Sequence, residues 1–515
     1  MIDAIVIGSG PNGLVAAAHL ARAGAKVLVL EAAATVGGAC QSRELTEPGF
    51  VHDVGAGFFP FGRISPALQP LALHEVGVQF AHTPIETAHP ALDGSCASIA
   101  RHPDEQRRAF GLDGDKMVAM ARWFNEQKEP TLSALLGPFP PLTKAFGMSI
   151  DTLLTLATVA LSSGRGWAEN TFATEAARRV VPGLALHTDV GPDDPLGAIV
   201  GFFLAMMAAT EGFPVMVGGS SALPKALLAR LFERDGEVRT RTHVTSILVR
   251  DGRAVGVRTA MREEIEARVV VADVGAPALY LKLLPREVVA PWIVRRMGRY
   301  PYGFGTFKAD FSLDGQVPFL SSDARRAGVV HASEGLDDLT RFTEEVRAGR
   351  IPSRPYLVIG QHSLADASRA PEGKHTLYVY SRVPSSVEGG WQAHREAFGD
   401  AIEDRLEGLA PGFKKLVRTR HLTSPDDLEA MNENLVGGDL GGGSAAISNQ
   451  LFLRPLFPYF RHTTPVKNLF LGSAYTHPGP GVHGAPGWNA ALAAIRALGL
   501  PLDDLTFTGQ AGPGW

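Results

Sequence analysis

DAIVIGSGPNGLVAAAHLARAGAKVLVLE, residues 3–31, passes in order through an apolar run, a glycine turn, an alanine-rich amphipathic stretch, a second turn, a second apolar run and a terminal acid. That order reads as strand, turn, helix, turn, strand, the arrangement a dinucleotide's pyrophosphate and ribose require. Gly8 allows the tight turn out of the first strand, Gly10 lets backbone approach the pyrophosphate, and Gly13 lets the helix pack closely on the strand. Pro11 and Asn12 lie between the second and third glycines and are read with them as cofactor-binding residues. The helix start presents unpaired N–H groups and a positive dipole end to the phosphates. Glu31 stands eighteen positions beyond Gly13, near the spacing of about 20 residues at which a carboxylate meets the ribose hydroxyls. A carboxylate there also repels the extra phosphate of NADP.

The rest of the chain narrows the class. Its 515 residues admit roughly two to four domains of about 150 residues each. A net charge of -4, without basic runs, gives no electrostatic reason to expect nucleic acid. The two cysteines, Cys40 and Cys96, form no CxxC and are too few for a disulfide framework or an ordinary zinc site. The first strand begins within three residues of Met1, which leaves no room for a signal peptide and suggests a cytoplasmic setting. Two uncharged stretches, 152–164 and 196–210, are too short to span a bilayer. They read as buried core helices, or alternatively as the lining of an apolar tunnel or a helix resting on a membrane.

Further glycine turns follow at Gly37-Gly38 and in HDVGAGFFP, residues 52–60. Residues 76–214 show helical apolar spacing broken by prolines. Nucleotide-domain features return in residues 216–260, where we expect a helix from Ala222, a strand pair around Val238 to Arg250, a turn at Asp251-Gly252 and a strand to Thr259. VVVAD, residues 269–273, adds a buried strand, TLYVYSRV another, and residues 391–409 a long helix. Near the end, NLFLGSAYTHPGPGVHGAPGWNAALAAIRAL, residues 468–498, takes a strand through a glycine-proline loop into an alanine-rich helix, a second helix start that could meet an electron-rich ligand. No second strand-GxGxxG-helix unit with a terminal acid occurs. One dinucleotide without a nicotinamide domain favours a tightly held flavin over a soluble NAD.

With GSGPNGLVAA and Glu31, PVMVGGSSALPKAL, MNENLVGGDLGGG, FLRPLFPY and LGSAYTHPGPGVHGAPGWNAA assembled, the chain resembles the phytoene desaturase-like FAD-dependent oxidoreductases. Within them it is similar to the branch of carotene ketolase and pyridine nucleotide-disulfide oxidoreductase domain-containing protein 2. The resemblance implies an α/β fold: a Rossmann-like FAD-binding domain built from discontinuous segments, with an inserted α+β substrate domain. Composition places the FAD-binding segments at 1–75, 215–285 and 441–504, the substrate segments at 76–214 and 286–440, and a flexible tail at 505–515. The resemblance puts the adenine against the strand of Val244 and the flavin's pyrimidine edge at the helix start near Val482 to Asn489. Gly472, Ser473, Gly481, Val482, Gly484 and Asn489 are thus cofactor-binding candidates, and Arg43 a partner for the pyrophosphate. The "disulfide" part of the branch name does not transfer, because the paired cysteines are missing.

The implied activity is hydride transfer between a hydrophobic, unsaturated substrate, polyene or isoprenoid-like, and flavin N5. Oxygen or a quinone would be the electron acceptor, and peripheral membrane contact is compatible with such a substrate. An FAD-dependent amine oxidase and a non-catalytic escort protein on the same fold are the alternatives. The chemistry of C–H oxidation by a flavin rests mainly on position and electrostatics. Candidates for a direct part are His483 first, as proton acceptor or donor, then His477, Trp488 as an aromatic wall, and Asp53 beside His52; the bland reading of each is loop geometry. Cys40 as a flavin attachment and Asp439 as pocket floor or turn former complete the candidates.

Overall fold

The computed structural model describes residues 1–140 and 148–502. The tail expected at 505–515 lies outside them. The described residues build two large mixed sheets and two short ribbons. The first large sheet runs in the order Val244–Arg250, Arg253–Thr259, Glu264–Ala272, Ile2–Ile7, Val27–Leu30, Glu237–Arg239, with Leu469–Leu471 also pairing with Glu264–Ala272. Its centre is parallel: Ile7 lies opposite Leu30 on one side and Ala272 on the other.

Both faces of that centre are covered, which is why its strands are continuous apolar runs. Ala4, Val6, Val27 and Val29 pack with helices Pro11–Arg22 and Ala485–Leu498, whereas Ile5, Ile7, Leu28 and Leu30 pack with Leu279, Tyr280 and Ile293. The first helix has Pro at its opening, and an added Cβ at Gly487 would stand 1.9 Å from the Asn12 carbonyl oxygen. The N-terminal and C-terminal helices therefore cross in backbone contact at the end where the cofactor motifs lie.

The second sheet runs Val417–Thr423, Gly305–Leu313, His375–Val383, Leu357–Gly360, Ala327–Ala332, Ile85–Pro90, Cys96–Ile99. All its pairings are antiparallel except that of Ala327–Ala332 with Ile85–Pro90. In TLYVYSRV the alternation is clean. Leu377, Val379 and Val383 enter a core with Phe307, Phe311 and Trp391, while Tyr378 and Tyr380 face an aromatic cluster on the other side.

Three sequence expectations change. Glu237–Arg239 does not pair with Val244–Arg250; it is a parallel edge strand beside Val27–Leu30, and the antiparallel hairpin is Val244–Arg250 with Arg253–Thr259. The stretch read as helical, 76–214, contributes Ile85–Pro90 and Cys96–Ile99 to the second sheet, because IETAHP is buried on both faces and carries no alternation to betray it. Helix Ala198–Thr210 is core, but helix Ile150–Leu161 leaves Ile150 76 % and Leu161 74 % exposed. Among the described residues no helix is long and apolar enough to cross a membrane.

Candidate functional site

The turn after Ile2–Ile7 is a cradle made of backbone. Gly8 adopts φ +92°, a conformation that favours glycine, and an added Cβ at Gly13 would lie 2.3 Å from the Gly8 carbonyl oxygen. Gly38 crosses above: a Cβ there would meet the Gly10 Cα at 3.0 Å, and the Gly37 N–H donates to the Ser9 carbonyl at 3.0 Å. No side chain caps the helix that starts at Pro11. Glu31 closes the cradle, accepting from the Ser9 N–H (2.8 Å) and hydroxyl (2.5 Å) through one oxygen and from the Ala33 N–H through the other. The Thr242 N–H donates to the Glu31 carbonyl, so the chain leading into Val244 runs past the end of the Glu31 strand.

The C-terminal loop arrives beside it. The Gly472 N–H donates to the Ala272 carbonyl and the Ser473 hydroxyl to that of Val274, which fastens the loop to the central strand's end. Gly481 (φ +126°) and Gly484 (φ +68°) bend the loop into helix Ala485–Leu498, with Val482 packed between them on the first core. The side-chain oxygens of Asn12 and Asn489, near the starts of the two helices, are buried without a hydrogen-bond partner. Backbone cradle, absent cap and orphaned amide oxygens fit a bound dinucleotide.

The candidates for proton chemistry differ in what holds them, and His477 Nε2 is buried without a hydrogen-bond partner. His483 accepts the Ala485 N–H on Nδ1 at 3.1 Å and points Nε2 at the Pro480 carbonyl at 3.2 Å. Both ring nitrogens therefore hold the loop and cap the helix, and burial pushes its pKa down to about 4. His477 packs at 5.0 Å on Phe139, and burial followed by the neighbouring His462 takes it down to about 3. Trp488, expected as an aromatic wall, is packed among core residues. It lies in the first core against His19, because its place one turn into the helix points it at helix Pro11–Arg22.

Asp53 is a clamp rather than a base. It accepts from the Ser42 hydroxyl and Ser220 N–H at 2.7 Å on one oxygen and from both terminal nitrogens of Arg369 at 3.1 Å on the other, which fills the usual four acceptor positions. Burial opposes its ionisation, but Arg369, His362 and these hydrogen bonds outweigh that and hold its pKa below the usual range. Arg43 is exposed on the Ser42–Arg43 ribbon with its guanidinium on Gln41, so the structure shows it on no part of the cradle. Cys40 is buried in the first core, where burial and then Asp53 push its thiol up, away from the reactive thiolate. Asp439 forms turns: it accepts the N–H groups of Gly303, Gly441 and Gly443.

The loop HDVGAGFFP leads from the cradle's side to the aromatic face of the second sheet. Register places Lys308, Tyr380, Val358 and His331 in one row across it. His187 bridges the row, with Nδ1 3.0 Å from the Tyr380 hydroxyl and Nε2 2.8 Å from His331 Nε2, and His89 stacks on His331 at 4.6 Å. Burial and then Arg382 take His187 down to about 3, and burial with neighbouring cations and imidazoles lowers His89 and His331, so the three rings are neutral. Lys308 pairs with Asp310 under the Tyr378 ring. The Tyr378 hydroxyl donates to the Gly55 carbonyl at 2.6 Å, and Phe58 meets Tyr378, His362 and Phe213. Thus HDVGAGFFP joins the two sides.

Three residues escaped the sequence reading. Arg454, fully buried, donates to the carbonyls of Gly441, Gly442 and Ala474, tying GGDLGGG to the C-terminal loop. Asn434 accepts the Gly275 N–H at 2.8 Å. Asp273 accepts the Gly13 N–H at 2.8 Å. Each lies inside a block that stood out as a motif or strand, FLRPLFPY, MNENL and VVVAD, but a lone arginine, asparagine or aspartate carries no spacing that announces its partner.

The family description "NAD(P)-binding Rossmann-like domain" matches residues 6–72. Pyridine nucleotide-disulfide oxidoreductase domain-containing protein 2 of Mus musculus is 27 % identical, over 96 % of this chain and 94 % of its own. The phytoene desaturase (neurosporene-forming) of Cereibacter sphaeroides is 25 % identical, with the same shares covered. A putrescine oxidase redesigned in its cofactor binding superposes with a TM-score of 0.60 at 16 % identity, covering 96 % of this chain and 99 % of its own, a likeness of fold. The chain is an enzyme of the FAD-dependent oxidoreductase class, related over nearly its whole length to the phytoene desaturase-like group its motifs resemble.

Proposed function

We propose that the chain binds FAD in the glycine cradle and transfers hydride between flavin N5 and a hydrophobic, unsaturated substrate of polyene or isoprenoid type. The observation that supports this most is the chemistry of the aromatic cluster that the Phe58 loop joins to the cradle's side. Phe58, Phe61, Phe202, Met206, Phe213, Tyr378 and Tyr380 belong to one cluster between the second sheet and helices Gly114–Leu136 and Ala198–Thr210. Among the described residues the carboxylates bordering it are paired, Asp53 with Arg369, Asp310 with Lys308 and Glu211 with Lys128, which leaves a cationic substrate without a free counter-charge there. The relation to a phytoene desaturase points the same way.

FAD, when bound, supplies a two-electron acceptor. The residues of this chain do the rest by position. Gly8, Gly10 and Gly13 admit the pyrophosphate to a helix start, and Glu31 is placed to receive ribose hydroxyls, exchanging its Ser9 contacts for them. The start of helix Ala485–Leu498, where His483 takes the Ala485 N–H and Pro486 has none, would offer mainly the positive end of its dipole to charge at the pyrimidine edge. Tyr378 and Phe58 shut water away from the seam. The exposed apolar side of helix Ile150–Leu161 supports peripheral membrane contact during substrate uptake, in a protein otherwise cytoplasmic.

The test is anaerobic mixing of the yellow enzyme with a polyene series and with an amine series. Bleaching of the flavin by a polyene and by no amine is the expected result. Bleaching by amines alone would replace this reading with an amine oxidase, the activity named for the structural neighbour.

A further inference from the structure

The cradle contains a carboxyl group that a pyrophosphate-binding turn does not require. Asp273 ends the central strand Glu264–Ala272, and its N–H donates to the Ile7 carbonyl, so it stands beside the root of the glycine turn. Its Oδ2 accepts the Gly13 N–H at 2.8 Å, and a Cβ added to Gly10 or Gly13 would lie 2.8 or 3.0 Å from that same oxygen. The second and third glycines thus make room for a side chain of this protein as well as for a ligand. As a residue, Asp273 is partly buried.

We infer that Asp273 carries a proton when the dinucleotide is bound, so that cofactor uptake takes up one proton at this carboxyl; the inference rests on the cofactor reading above. The reason is charge. A dinucleotide brings a doubly negative pyrophosphate onto the helix start whose Gly13 N–H the carboxylate already occupies, and it covers a residue that is only partly buried without it. Both disfavour a second anion.

The groups facing Asp273 offer no compensating cation. From helix Pro11–Arg22 comes the Gly13 N–H alone, with no acid in its first turn. The strand Val27–Leu30 ends in Glu31, another carboxylate. From the C-terminal loop come Ser473, whose hydroxyl is committed to the Val274 carbonyl, and Tyr475, a phenol committed to the Asn434 carbonyl. Asn434 is neutral and lies 3.5 Å from the Asp273 carbonyl. Before any ligand arrives, burial raises the Asp273 pKa, the Gly13 N–H lowers it and Glu31 raises it, for a net rise to about 7. In the protein without cofactor the group is therefore titrating near neutrality, and added negative charge moves it further up.

The proton balance is simple: the carboxylate gains one proton from solvent as the cofactor docks, and no bond of the cofactor changes. Linkage then gives the sign. Above the pKa of the empty site and below that of the occupied one, FAD affinity falls as pH rises, by up to about tenfold per pH unit. The measurement is FAD rebinding to the deflavinated protein, followed by flavin fluorescence between about pH 6.5 and 8.5, with binding heats in buffers of different ionisation enthalpy to count protons. The wild type is expected to weaken severalfold to tenfold over the upper unit and to take up close to one proton. Asp273→Asn, which mimics the neutral acid, is expected to bind at least as tightly at the upper pH with a flat profile and no proton uptake. A flat wild-type profile, or a slope that persists in Asp273→Asn, overturns the inference. Should Asp273→Asn fail to fold, the proton count on the wild type still decides. Absence of any FAD binding would instead remove the cofactor reading itself.

Discussion

The glycine cradle and the aromatic face of the second sheet are built of opposite materials. The cradle is backbone: Gly8, Gly10, Gly13 and Gly38 work by what they lack, and their spacing in the chain is their geometry in space. The sheet face is side chain: Lys308, Tyr380, His187 and His331 come from three strands and a helix end, and only register brings them into line. The first is suited to a universal ligand part, a pyrophosphate. The second is suited to whatever is particular to this enzyme.

Damage should therefore take different forms on the two sides. The largest effect is steric. Gly487→Val puts a branched side chain where even a Cβ stands 1.9 Å from the Asn12 carbonyl, so the two helices cannot both keep their places; loss of flavin from the purified protein and collapse of the melting transition are expected. A normal flavin spectrum in that variant would break the claim that the cradle is built by backbone contact.

Next is electrostatic. Arg369→Met leaves Asp53 buried without its cation, a loss of about 3–5 kcal/mol, read as a fall in melting temperature. The pH sign follows from the lowered Asp53 pKa: its contribution is present above the ordinary carboxylate range and is lost as pH falls through the depressed value, so the wild type but not Arg369→Met should lose this increment in acid. Equal acid sensitivity in both would separate Asp53 from the clamp.

Smaller is Glu31→Ala. It removes charge-assisted hydrogen bonds of roughly 1.5–3 kcal/mol each, and FAD affinity should drop by about tenfold or more with the fold intact. Unchanged affinity would move the ribose elsewhere. Smallest is Tyr380→Phe, which deletes the hydroxyl on His187 at a cost of about 1 kcal/mol. It should leave flavin content untouched and alter KM for substrate; an altered flavin content with normal KM would place the row on the cofactor side.

The same contrast explains what the sequence disclosed. Residues 3–31 carry their own frame, and the strands, helix and terminal acid expected there are present as Ile2–Ile7, Pro11–Arg22, Val27–Leu30 and Glu31. Helix Trp391–Leu409 and strand His375–Val383 were legible from periodicity. The strand Ile85–Pro90 was not, since Glu86, His89 and Pro90 break both the alternation and the apolar run by which a strand announces itself. His483 drew attention by standing in a glycine loop, yet such a loop needs a cap as much as a flavin needs a base, and spacing cannot tell the two apart. Arg454 and Asp273 were invisible for a plainer reason: their partners lie across the chain, and a single polar residue has no period.

The account stands first on the cradle holding one FAD. The direct measurement is to denature the purified protein and quantify and weigh the released cofactor. One FAD per chain is the result expected from a single strand-glycine-acid unit. A colourless protein that releases none and takes up none on addition of FAD would contradict it, and would turn the same fold into a binding or escort protein.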